Sequence, residues 1–128
     1  MKQRMHDILR RFAEWAALFT EGGRFLVWGE CYEGRATIER EIGGMQPPGV
    51  PGKHALLQPV IDFEGPEHAR AWTDMSVMTQ PAEGIVTATI GRYHDELVRR
   101  DGTWFFEQRA IVMAGESVPE GVAPSPAR

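Results

Sequence analysis

Between residues 53 and 113 four long strand-like segments follow one another with only short turns between them. They are KHALLQPVIDFE (53–64), HARAWTDMSVMTQ (68–80), GIVTATIGRYHDELVRR (84–100) and TWFFEQRAIVM (103–113). Gly65-Pro66, the Pro81 to Gly84 stretch and Asp101-Gly102 separate them. Asp-Gly is a strong two-residue hairpin signal, because both positions accept positive φ. Connections this short force an antiparallel meander. Such a sheet must bury one face, and the chain has one large apolar helix face to offer. In MHDILRRFAEWAALF (5–19), Met5, Ile8, Leu9, Phe12, Trp15, Ala16 and Phe19 recur at helical spacing. Thr20, Gly22 and Gly23 are expected to end that helix. RFLVWGECY (24–32) reads as a strand, Gly34 as a break, RATIEREIG (35–43) as a short helix and MQPPGVPG (45–52) as a loop. Helices followed by a run of strands argue an α+β fold. A helix laid across a curved sheet leaves an apolar hollow, and Gly91 is expected to bulge or bend its strand.

The bulk composition narrows the function classes. The 128 residues suit one domain, with 42% hydrophobic and 25% charged residues. Residues 1–114 are expected to form it, and 115–128, rich in proline and poor in apolar side chains, a disordered tail. A net charge of −4 gives no electrostatic footprint for nucleic acid. No apolar run approaches the ~18 residues of a membrane span. One cysteine, Cys31, forms no internal disulfide. The first residues show no secretory apolar core, so a cytoplasmic location is expected.

Strand alternation sorts the candidate side chains. Tyr93, Asp95 and Leu97 share one face of their strand, and His94, Glu96 and Val98 the other. Asp95 is the candidate for the inner face; the alternative is an outward Asp95 paired with an arginine. His94 would then meet solvent or a partner subunit. His54, Leu56, Gln58 and Val60 share a face of the 53–64 segment. Taken alone, His54 reads as an edge-strand histidine bonded to a loop carbonyl. Trp28 and Trp72 either line a pocket or fill the core. Arg109 either binds a substrate anion or pairs with Glu107 or with an acid on a neighbouring strand. The four histidines lack metal spacing, and neither a Gly-rich phosphate loop nor a G-x-S-x-G elbow is present. No metal or other cofactor is expected.

The run LFTEGGRF…GECYEGRATIE…KHALLQPVIDFEG…ARAWTDM…GRYHDELVRRDGTWFFEQRAIV resembles the SnoaL-like group of the nuclear transport factor 2-like superfamily. The resemblance implies a cone-shaped, strongly curved, mostly antiparallel sheet wrapped around N-terminal helices, with an internal apolar pocket. Relatives include scytalone dehydratase, bile-acid 7α-dehydratase and the β subunits of ring-hydroxylating dioxygenases. It implies that His54 and Asp95 form a catalytic dyad, His54 as base and Asp95 as its orienting or acidic partner. Trp28, Tyr93, Arg109 and Trp72 would shape the substrate pocket. The implied activity is cofactor-free dehydration or isomerisation of a hydrophobic cyclic molecule such as a polyketide, steroid or terpenoid. The group also places a Tyr and an Asp on the inner side of the first helix. Here the nearest acid, Asp7, falls off the apolar stripe, and no inner tyrosine precedes it. That departure points to the alternative, a non-catalytic binding or assembly module like a dioxygenase β subunit. The resemblance further implies a homodimer paired through the outer face of the sheet.

Overall fold

The computed structural model describes residues 11–43, 52–79, 84 and 87–126. Helical residues 11–16 (α1) lead into strands β1 (Phe19–Val27) and β2 (Glu30–Glu33) and helix α2 (Arg35–Gly43). Strands β3 (Gly52–Leu56), β4 (Val60–Phe63), β5 (His68–Thr79), β6 (Thr87–Arg100) and β7 (Thr103–Met113) complete the fold. It is α+β, with a curved, open, mixed sheet and few helices. The strand order is β2-β1-β7-β6-β5-β3, with β4 also on β5. Every pairing is antiparallel except β1 with β7.

The expected helix to residue 19 stops at 16 instead. Leu18 N–H donates to Trp15 O rather than continuing the i−4 ladder. Phe19 then turns into the core, fully buried, with its ring 5.3 Å from both Trp15 and Phe106. An aromatic at a helix end satisfies the periodicity of the helix equally well as the first inward residue of a strand, so pattern alone cannot separate the two. Thr20 to Gly23 loop out of register between Phe19↔Phe106 and Arg24↔Gln108. A Cβ at Gly23 would sit 3.1 Å from Thr20 O and 3.2 Å from Phe19 Cβ, so a side chain there would crowd this turn. The carbonyl of Phe19 accepts from Nε and Nη2 of Arg35, the first residue of α2, at 3.0 and 2.7 Å.

The strand expected over 24–32 is a hairpin. Trp28 and Gly29 form its turn with φ of 51° and 75°. The expected 53–64 strand divides into β3 and β4. Leu56 pairs with Met75 and Val60 with Trp72, so Leu57, Gln58 and Pro59 face only two residues of β5. Proline lacks the N–H a ladder position needs, and a one-residue bulge accommodates it. The α2 helix, the β6–β7 hairpin at Asp101-Gly102 and the bounds of β7 agree with the sequence expectations. The stretch expected as a loop at 45–52 lies outside the described residues except for Gly52, which opens β3.

Helix α2 covers the inner face at β1, where Phe19, Phe25, Val27 and Ile38 form a buried cluster ringed by Trp15, Tyr32, Ile42, Phe106 and Ile111. The outer face is covered differently. The tail expected to be disordered packs across it. Val122 is buried, and Ala123 O accepts hydrogen bonds from Trp72 Nε1 (3.2 Å) and the His94 ring (2.8 Å). Arg92 Nη1 donates to Ser125 Oγ and Gln108 Nε2 to Gly121 O. Composition misses this because three of the hydrogen bonds end on backbone carbonyls of Gly121 and Ala123, which every sequence supplies, and a single valine is the apolar anchor.

Candidate functional site

Strand β6 carries the candidate site. Asp95 and Tyr93 are buried and lie on the inner face, opposite Arg109 and Ile111 of β7. Phe25 of β1, a core residue, is in turn the register partner of Arg109, which fixes the face as inner. Arg109 donates from Nε and Nη2 to the two carboxylate oxygens of Asp95 at 2.8 and 2.9 Å. The Asp95 side chain is 3% exposed and that of Arg109 17%. The guanidinium lies 4.1 Å from the Tyr93 ring centroid and 4.2 Å from that of Phe106. A cation over an aromatic ring is attracted by it, here by two rings, and the bidentate fork fixes its in-plane orientation.

A bulge makes this stack. Residues 106 and 109 fall on opposite faces of a regular strand. The register passes from Glu96↔Gln108 to Leu97↔Phe106, leaving Glu107 extra. Phe106 and Arg109 therefore face the same way. The bend lies here and not at Gly91, which sits in unbroken register between Met75 and Met113. Gly91 provides room instead: a Cβ there would lie 2.9 Å from Met113 Sδ and 3.2 Å from Met75 Sδ.

Burial pushes the pKa of the Tyr93 phenol up. The Arg109 cation opposes the rise and the Asp95 charge adds to it. Tyr93 thus keeps its proton, and its hydroxyl is a donor at neutral pH. Phenol and guanidinium are each the kind of donor that stabilises a developing negative charge on an oxygen.

The other expected site residues lie elsewhere. His54 is exposed and pairs with Val77, whereas Asp95 pairs with Ala71. Both histidine and aspartate share the inner face by register, but their β5 partners are six positions apart, roughly 20 Å at ~3.3 Å per residue. The expected His54–Asp95 dyad is not assembled; the carboxylate is bound by Arg109. Trp72 is on the outer face, the register partner of His94, and lines no inner pocket. Trp28 is 65% exposed at its hairpin tip. It borders a separate groove of about 390 Å³ with Leu26, Cys31, Val112, Glu116 and Pro119. Its lining also includes Val27 and Ile111, the register partner of Tyr93, but neither Asp95 nor Arg109, and Glu116 already accepts the Met113 N–H. His94 is buried under the tail rather than open to solvent. Phe106 is the site residue that alternation misses, since only the bulge turns it inward. Asp7 lies outside the described residues. Among the described residues no group of His, Cys, Asp and Glu could hold a metal ion, and no helix is long and apolar enough to cross a membrane.

Residues 4–110 match the family model of the SnoaL-like domain. No curated protein matches the sequence. Among solved structures, Rv3472 of Mycobacterium tuberculosis, of unknown function, is 27% identical with a TM-score of 0.71. That match covers 83% of this chain and 62% of that protein, so the chain spans less than two thirds of it. A scytalone dehydratase-like protein from Novosphingobium aromaticivorans is 22% identical with a TM-score of 0.66, covering 96% and 92%. A type 2 hexachlorocyclohexane dehydrochlorinase, LinA, is 17% identical with a TM-score of 0.70, covering 91% and 81%.

Proposed function

The chain belongs to the SnoaL-like family of the nuclear transport factor 2-like superfamily, and on that premise we propose that it seats a hydrophobic, carbonyl-bearing cyclic molecule on the inner face of its sheet and acts on it by acid–base chemistry. Dehydration or isomerisation of a polyketide, steroid or terpenoid fits this reading. The observation that carries it is the Tyr93, Asp95 and Arg109 cluster, polar and buried among Phe25, Phe106 and Ile111. Polar groups converging in apolar surroundings are what a small-molecule site requires. Two structural neighbours carry names of eliminating enzymes, a dehydratase and a dehydrochlorinase. Elimination next to a carbonyl builds negative charge on its oxygen, where Arg109 and Tyr93 supply donors; the α-proton passes to solvent water, and the hydroxide expelled from the β-carbon recombines with it as water. Asp95 is a positioning residue in this arrangement, holding the guanidinium in plane.

A second reading, a non-catalytic binding module, is favoured by one observation. The site's carboxylate is tied to Arg109, and His54 stands far from it. Deuterium exchange separates the two. β-Acetonaphthone, a flat ketone with exchangeable α-protons, is incubated with the protein in heavy water and followed by proton NMR. The enzyme reading expects exchange above background that Arg109→Met abolishes. Saturable binding without exchange leaves the binding module.

A further inference from the structure

We propose that the Asp95–Arg109 pair is a charge filter, which admits an uncharged carbonyl ligand and turns away a carboxylate. The inference rests on the inner-face ligand site proposed above and names the ligand's charge. It follows from how the guanidinium is used. Nε and Nη2 are committed to Asp95, so the unit charge is already cancelled by a partner on the adjacent strand. The guanidinium carbon also lies over the Tyr93 and Phe106 rings, 4.1 and 4.2 Å from their centroids. What remains is the in-plane edge at Nη1, which makes no hydrogen bond among the described residues. It is not an orphaned buried donor, and the side chain keeps 17% exposure. A ligand that meets Arg109 at Nη1 does so through an acceptor atom, and finds a donor without a net charge.

A carbonyl oxygen satisfies both conditions. It accepts one hydrogen bond and brings no charge into the apolar site. A carboxylate would place a second anion beside Asp95 and must also shed its water, two costs that a neutralised guanidinium cannot offset. The filter is thus a property of Asp95 more than of Arg109. Without that carboxylate, the same stacked guanidinium is an uncompensated cation, and it attracts the anion it formerly excluded.

The matched probes are β-acetonaphthone and β-naphthoate, which share one ring system and differ in charge. Calorimetry on the full chain is expected to give ketone binding at least about tenfold tighter than naphthoate, and Asp95→Asn is expected to reverse that order. An apolar pocket without a filter rejects naphthoate alike in both proteins, so an unchanged ratio in Asp95→Asn overturns the inference. Naphthoate binding the unaltered protein as tightly as the ketone overturns it too, while leaving the ligand site standing. If neither probe binds, ligand site and filter fall together. Infrared spectroscopy on the unaltered protein needs no variant. The ketone stretch is expected to move to lower wavenumber on binding, as hydrogen bonding to Nη1 requires, and an unshifted band overturns the proposal.

Discussion

At the scale of single residues, the Asp95–Arg109 pair carries the largest risk to stability. Removing one partner of a buried ion pair strands the other charge in surroundings that solvate it poorly. Asp95→Ala is expected to cost about 3 kcal/mol in urea unfolding, and Asp95→Asn less, because an amide oxygen still accepts from the guanidinium. Tyr93 gives the pH dependence. Its pKa is raised in the folded protein, so the native state holds the phenolic proton more tightly than the unfolded chain. That stabilisation is complete below the unfolded tyrosine range, about 10, and is lost as pH rises through the folded value. Unfolding free energy is expected to fall on the alkaline side, with a slope that Tyr93→Phe flattens. The inward Asp95 was legible from alternation with Tyr93 and Leu97. An acid on a neighbouring strand was one of the partners left open for Arg109, and the register selects Asp95. The aromatic lid of Phe106 was not legible, because an extra residue at Glu107 inverts the parity that alternation assumes.

At the scale of elements, strands and turns with strong local chemistry were readable and the interruptions between them were not. Asp101-Gly102 takes positive φ at both positions, as that dipeptide favours. Trp28-Gly29 makes a turn of the same kind with a tryptophan where the rule expects Asn or Asp, and so hid inside an apolar run. Pro59 marked the β3–β4 bulge, yet the run around it is apolar enough to pass for one strand. Gly91 was legible as special but for a different physical reason. It is where two methionine sulfurs and Val112 O meet the β6 backbone. Gly91→Ala is expected to cost about 1–2 kcal/mol by overpacking, measured by thermal unfolding. The two methionine ends can yield, but the Val112 carbonyl at 3.2 Å is backbone and cannot move as freely. The C-terminal segment is a further element, held by one apolar anchor and a few hydrogen bonds. Val122→Asp is expected to release it, exposing the Trp72 indole and shifting tryptophan emission to longer wavelength. An unshifted spectrum would show that the segment contributes little to covering that face.

At the scale of the whole molecule, the two faces and the rim of the sheet are finished differently, and this bears on the homodimer that the family resemblance implies. Pairing through the outer face would have to displace the segment lying over Trp72, His94 and Gln108, all buried beneath it. The rim formed by β3 and β4 is unlike it. Each of these strands pairs only with β5 among the described residues, and Leu56, Leu57, Ile61 and Phe63 are exposed along them, Phe63 by 67%. An unpaired edge bearing apolar side chains is a template for association. We therefore place the proposed homodimer contact at this rim. Light scattering is expected to give twice the 14.4 kDa chain mass, and Leu57→Lys with Phe63→Lys to halve it, since two added charges at each edge repel across a symmetric contact. Val122→Asp discriminates between the surfaces. Contact at the rim leaves the mass unchanged when the C-terminal segment is released, whereas contact through the outer face makes release favour association. A single-chain mass for the unaltered protein discards the homodimer altogether.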